Sequence, residues 1–323
     1  MEAEGIRKQN DARTVTADWV FLPARRPDSH KGDYGRVLIV GGSVGYTGAP
    51  NLAAAAAVRS GAGLVYLGVP EAIWTVCAVK NTEAMPFPLP CDEAGRLRVE
   101  ALDLLRQRWE NSSVMALGPG MGRSDDIFRL TRAVVEEYPG PLVLDADALW
   151  AVSRDPAMLS RARGKVIVTP HQGEFDRLGG ARTGDRLTDA RAFADRCGCV
   201  TLLKGHGTII AFPGGESYVL AAGNPGMAKG GSGDVLTGVL AAMLGQLPLE
   251  RAVVTAAWLH SAAADRCAVQ LGEYGMTPSD VIEKLPITMK GITKTRHEEP
   301  NPSTADDAPG PDRLRPDTGA AEL

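Results

Sequence analysis

Short apolar runs that stop abruptly in glycine or polar residues recur along this chain, and they constrain its fold more than any other feature. Residues 36–40 run into Gly41-Gly42, residues 113–117 into Gly118-Pro119-Gly120-Met121-Gly122, and residues 141–144 into Asp145-Ala146-Asp147. Residues 165–168 run into Thr169-Pro170-His171, and residues 201–203 into Lys204-Gly205-His206-Gly207-Thr208. Residues 63–69 form a further run of the same kind, and helix-forming stretches such as 53–60 lie between the runs. Unbroken apolar strands that alternate with helices predict an α/β fold, a three-layer sandwich with a mostly parallel central sheet and helices on both faces. In such sheets ligands bind beyond the carboxyl ends of the strands. The polar clusters all fall there, so one crevice should collect loops from many strands.

The chain has 323 residues, of which 44% are apolar, enough for a large core. We expect a flexible segment at 1–14, one ordered domain at 15–287, and a disordered tail at 288–323, where Pro, Asp and Arg replace any apolar periodicity. The net charge of −4 argues against a nucleic-acid partner. Five cysteines without a CxxC pair or a zinc spacing read as reduced thiols. The first twenty residues lack an apolar segment, and the apolar stretch 52–69 is broken by Arg59 and by three glycines. The expectation is a soluble cytoplasmic protein with no membrane contact.

The strongest local signal is the segment from Gly223 to Asp234, which is rich in glycine and opens an apolar helix at 235–244. Amides at such a helix start converge on one point and favour an anion there, and glycine lets a phosphate approach the backbone. Gly231, Ser232 and Gly233 are the candidate anion hole. Asp234 then reads either as a helix cap or as a carboxylate beside that hole, placed to accept a proton from an attacking hydroxyl. Neither G-x-x-x-x-G-K-[ST] nor G-x-G-x-x-G occurs, which disfavours a P-loop and a dinucleotide-binding Rossmann site.

Seven segments occur in a recognisable order: HKGDYG, GGSVGYTGAPNLAAAAAVRSGAGLV, LGPGMG, LVLDADAL, VTPHQGEFDRL, LLKGHGTII and NPGMAKGGSGDVLTG. Together they resemble the ADP-dependent NAD(P)H-hydrate dehydratases, a branch of the ribokinase-like superfamily. The resemblance implies repair of NADHX and NADPHX, the (S)-hydrates of NADH and NADPH, with ADP as phosphoryl donor, Mg2+, and AMP and phosphate as products. It implies that Asp234 is the general base and contacts the hydrate, together with Ala49, Gly120, Gly122 and His171. Lys204, Gly205, His206, Gly207, Thr208 and Gly233 would bind the nucleotide. The resemblance also implies a homotetramer. Many relatives carry an epimerase domain of about 200 residues before this one, so a separate epimerase is expected here.

Some residues stay open at this level. Glu174 orients a magnesium-bound water or caps the helix after it; Asp145 and Asp147 anchor magnesium through water or cap theirs. The metal ligands are unknown. Trp258 and His260 lie in an apolar helix and read as core. Two rival functions use the same residues: an ATP-dependent kinase of a hydroxymethyl thiazole or pyrimidine vitamin precursor, and a regulator that binds adenine nucleotide without turnover.

Overall fold

The computed structural model describes residues 12–294. Strands β1 (Arg13–Val15), β2 (Leu22–Pro23), β3 (Arg36–Val40), β4 (Leu64–Pro70), β5 (Met85–Leu89) and β6 (Val114–Leu117) come from the first part of the chain. β7 (Leu142–Leu144), β8 (Val166–Val168), β9 (Val200–Leu203), β10 (Ile209–Ala211), β11 (Ser217–Leu220) and β12 (Thr293–Lys294) follow. The helices are α1 (Gly48–Arg59), α2 (Glu71–Lys80), α3 (Ala101–Trp109), α4 (Asp125–Glu137) and α5 (Ala146–Arg154). They continue with α6 (Gln172–Arg177), α7 (Arg186–Cys197), α8 (Ser232–Leu244), α9 (Leu249–Gly275, kinked at Gly272) and α10 (Pro278–Ile292).

Ten strands form one sheet in the order β1-β11-β10-β9-β8-β7-β6-β3-β4-β5, and only β10 runs against the rest. The expected α/β sandwich is therefore observed. The central strands β6, β7, β8 and β9 bury both faces, which is why their runs are continuously apolar rather than alternating. Val37 and Ile39 of β3 enter one core with residues of α1, α2, α8, α9 and α10; Leu38 and Val40 enter the other with α3, α4, α5, α6 and α7. The strand order reverses beside β3, which joins β4 on one side and β6 on the other. That is the place where an open sheet leaves a crevice.

Helix α8 crosses α1 closely because both use small residues at the contact. A methyl group on Gly238 would lie 2.1 Å from the Ala53 carbonyl oxygen, so only glycine fits. This approach sets the start of α8 over the ends of the central strands.

The domain boundaries differ from the sequence expectation at both ends. Arg13 and Thr14 already belong to β1, which pairs with β11. Residues 288–294, expected as tail, complete α10 and then β12, which pairs with β2. Helix α10 runs through Pro286 because Leu285 before it and Thr288 and Ile292 after it are buried. The rest of the expected tail, and residues 1–11, lie outside the described residues. Cys77, Cys197, Cys199 and Cys267 are buried and Cys91 is half-buried, all as free thiols. Cys197 and Cys199 share neither a strand nor a helix: the first ends α7, Gly198 turns the chain in the left-handed region, and the second precedes β9. Among the described residues no helix is long and apolar enough to cross a membrane.

Candidate active site

The carboxyl ends of β9, β8, β7, β6 and β3 line up along one sheet edge. They present Lys204, His171, Asp145, the Gly118–Gly122 loop and the Gly41–Ala49 loop in that order. The start of α8 faces this row. Its N-cap is Gly231, at φ 98° and ψ −19°, a conformation that glycine adopts without strain. Ser232, Gly233 and Asp234 form the first turn, where the backbone N–H groups have no partner within the helix. Asp234 is therefore not the cap, and that alternative is closed by geometry. Its carboxyl is pushed up to about 7, first by burial and then by repulsion from Asp145, with Lys204 opposing.

Lys204 follows β9, and a bridge between Lys204 and His171 extends the β8–β9 pairing. Its Nζ donates to Asp145 Oδ1 at 2.9 Å and lies 3.8 Å from Glu174 Oε2. Burial works against its charge, but Asp145 and then Glu174 outweigh this and hold the ammonium above its usual range. Asp145 is 2% exposed and also accepts from Thr169 Oγ1 at 2.8 Å and Thr237 Oγ1 at 2.9 Å. Burial opposes its charge too, yet Lys204 and then those hydroxyls keep its carboxyl below the ordinary value. A methyl group on Gly233 would lie 3.4 Å from Lys204 Nζ, so the ammonium sits directly under the glycine turn.

The Lys204–Thr208 turn joins antiparallel β9 and β10. Thr208 Oγ1 donates to the Gly205 carbonyl at 3.1 Å. Arg186, at the start of α7, cradles the turn: its guanidinium donates to the carbonyls of His206 at 2.9 Å and Lys204 at 3.2 Å. The turn, the segment 222–228, Ser232, Gly233, Leu220, Leu236, Ala257, His260 and Ser261 enclose a cavity of about 550 Å³. Trp258 and His260 are both buried, as expected for core, but His260 also lines this cavity. Its Nε2 has no hydrogen-bond partner, and burial, then Lys204, press its imidazole down to about 4, so it is neutral.

A second cluster lies further along the edge, outside that cavity. Gly120 and Gly122 have φ of 64° and 77°, and a methyl group on Gly120 would come 3.1 Å from the Ala49 methyl. Ala49 thus faces the loop expected to share its ligand. Pro50 is the third residue of α1, within the turn where its missing N–H costs nothing. The Gly122 N–H donates to Asp147 Oδ2 at 2.8 Å, and Arg123 Nε lies 3.4 Å from Asp147 Oδ1. Neither Asp145 nor Asp147 caps α5, and both carboxylates are engaged by the protein.

His171 caps α6. Its Nδ1 accepts from the Gly173 N–H at 3.0 Å and the Glu174 N–H at 3.3 Å, while Glu174 Oε2 accepts from the His171 N–H at 2.9 Å. This reciprocal cap answers the question over Glu174 in favour of the helix terminus. The imidazole remains more than half exposed beside the crevice. Among the described residues no three His, Cys, Asp or Glu side chains converge as a metal cage.

A carboxylate in the first turn of a glycine-opened helix, set over the carboxyl edge of a mostly parallel sheet, fits a ribokinase-like protein, and a ribokinase-like structure from Enterococcus faecalis V583 superposes with a TM-score of 0.76 at 28% identity, covering 90% of this chain and 99% of that one. Residues 37–287 match the model of the NAD(P)H-hydrate dehydratase family, and the chain belongs to that family. It is 43% identical over 287 residues to a bifunctional NAD(P)H-hydrate repair enzyme of Moorella thermoacetica, covering 87% of this chain and 54% of that protein. It is 39% identical over 250 residues to an ADP-dependent (S)-NAD(P)H-hydrate dehydratase of Neisseria meningitidis, covering 75% of this chain and 80% of that protein. The chain spans about half the length of the first curated relatives it matches.

Proposed function

We propose that this chain dehydrates (S)-NADHX and (S)-NADPHX to NADH and NADPH, with ADP as phosphoryl donor and AMP and phosphate as products. The observation that carries this reading is Asp234 in the first turn of α8, with Lys204 under the adjacent Gly233 and with Asp147, which holds the Gly122 N–H, within its electrostatic reach. The cavity beside Lys204–Thr208 suits the adenine nucleotide, with Leu220, Leu236 and Ala257 as apolar walls. The second cluster suits the hydrated ring, which Ala49, Gly120, Gly122 and His171 would border.

The chemistry follows from those positions. Hydroxide is a poor leaving group at neutral pH, so the ring hydroxyl must be activated. Asp234 takes the hydroxyl proton as the oxygen attacks the β-phosphorus of ADP, and AMP departs. The amides of Gly231, Ser232 and Gly233, with the Lys204 ammonium, stabilise charge on the transferred group. The ring nitrogen then expels phosphate to leave an iminium, and loss of a proton from the neighbouring C5 to the departing phosphate restores the 5,6 double bond. A carboxyl pushed up to about 7 matches a base that works near neutrality. Mg2+ fits as an ion carried on the nucleotide phosphates with its own waters, since Asp145, Asp147 and Glu174 are already engaged; there it would supply charge neutralisation.

A cytoplasmic setting and a homotetramer belong to the same proposal. The exposed Trp74 and Val79 of α2 and Met85 of edge strand β5 support self-association. The test is incubation with hydrated NADH and either ADP or ATP, followed by absorbance in the reduced-nicotinamide band and by nucleotide analysis. Restored absorbance with accumulating AMP is expected. ATP consumption with a phosphorylated thiazole or pyrimidine and no hydrate repair would establish the kinase instead, and nucleotide binding without turnover would establish the regulator.

A further inference from the structure

We infer that Asp145 is a positioning residue for the base: it fixes the Lys204 ammonium beside Asp234 and ties α8 to the end of β7. The inference rests on the reading of Asp234 as the base of the proposed reaction.

Asp145 occupies the position before α5 where aspartate would ordinarily cap the helix, yet its carboxylate makes no cap bond. It turns inward and gathers donors from three separate elements: Thr169 after β8, Lys204 after β9 and Thr237 in α8. The next residue, Ala146, has φ of 48°, the one non-glycine residue with positive φ among those described. Left-handed backbone at alanine costs about 1 kcal/mol or more and persists only where surroundings enforce it. Here it separates two carboxylates with different tasks, Asp145 facing Lys204 and Asp147 holding the Gly122 amide.

A role in stability alone does not account for the charge. Buried ion pairs are often replaced by neutral side chains without loss of stability. What the pair does achieve is placement. Lys204 Nζ and Asp145 Oδ2 lie beneath Gly233, at 3.4 and 3.6 Å from where its methyl group would be, one residue from Asp234. The charged groups that face Asp234 are Asp145 and Asp147 from the β7–α5 junction and Lys204 from the β9–β10 turn, with Glu174 of α6 behind Lys204. Thr237 links the same carboxylate to the helix that carries the base, one turn further on.

The test is Asp145→Asn, which keeps shape and removes charge. The Asp234 carboxyl is titrated by NMR in protein labelled with carbon-13 at aspartate, assigned with Asp234→Asn, in the absence of substrate. The kcat/KM profile against pH is measured alongside. Losing a neighbouring negative charge favours ionised Asp234, so the titration midpoint and the acid limb should both move down by about one pH unit or more. Repair at pH 7.5 should fall roughly tenfold as the base weakens and the ammonium loses its anchor. A folded variant with an unmoved midpoint overturns the inference. Should Asp145→Asn fail to fold, Lys204→Gln carries the test with opposite sign: without the cation, Asp145 repels Asp234 unopposed and the midpoint should rise, whereas a static or falling midpoint overturns the inference. The titration needs no turnover. A wild-type protein that repairs no hydrate defeats the functional reading, and an unmoved midpoint defeats the role of Asp145 alone.

Discussion

Replacing Asp234 by asparagine should slow catalysis and stabilise the fold at once, and the pH dependence separates the two effects. The carboxyl is held at about 7 rather than 3.8, chiefly by burial and secondly by Asp145. As an upper bound, this penalises the ionised form by about 4 kcal/mol. Partial exposure to solvent and the favourable field at the start of α8 reduce the figure to about 1–2 kcal/mol. Between those two pKa values the folded chain holds a proton that the unfolded chain has released. Stability is therefore full below pH 4 and falls as pH rises through about 7. Asp234→Asn removes that loss. Its melting midpoint should match the wild type at pH 4 and exceed it by about 2–3 °C at pH 8. Asparagine cannot accept the hydroxyl proton, so kcat for hydrate repair should fall about 10²–10⁴-fold. Thermal melts at both pH values and steady-state kinetics with ADP check these outcomes. A variant that melts earlier at pH 8 would refute the burial argument. A kcat within threefold of wild type would refute the base.

Two further outcomes follow from neighbouring contacts. Arg186→Gln removes the guanidinium that holds the carbonyls of the Lys204–Thr208 turn, and should raise KM for ADP roughly fivefold while leaving KM for the hydrate unchanged; equal changes in both would place its effect elsewhere. Gly238→Ala drives a methyl group against the Ala53 carbonyl and should cost about 1–3 kcal/mol, read as a midpoint lowered by about 2–5 °C; an unchanged melt would show that α8 and α1 can separate freely.

The parallel strands were legible because burial on both faces writes itself as an unbroken apolar run. Where a strand is short or bears proline, that signal fails. β5 reads Met-Pro-Phe-Pro-Leu and looks like a linker; it survives as the outermost strand, where prolines that cannot donate to a ladder are tolerated. The β10–β11 hairpin and β1 extend the sheet with three or four residues each, too few for a periodicity to be read. The end of α10 falls in the stretch expected as tail, because composition is averaged over a segment whereas burial of Ile292 depends on the whole packing.

The same division runs through the site. The glycine turn and Asp234 are contiguous, so their meaning could be read locally. The partners that govern Asp234 are not: Lys204 stands 59 residues from Asp145, and Thr237 stands 92 residues from it. Lys204 reads in the sequence as a candidate nucleotide contact, and nothing there marks it as half of a buried ion pair. His260 was legible as buried, yet nothing in an apolar helix shows that its core-facing side borders a cavity. Asp145 is the sharpest case, because its residue type and position fit a helix cap completely and the structure shows no cap. Only the sheet order, which brings the ends of β7, β8 and β9 side by side, turns three unrelated polar positions into one charged network. Motifs thus mark the groups that a substrate would meet, whereas the groups that tune them are fixed by topology and have no motif of their own.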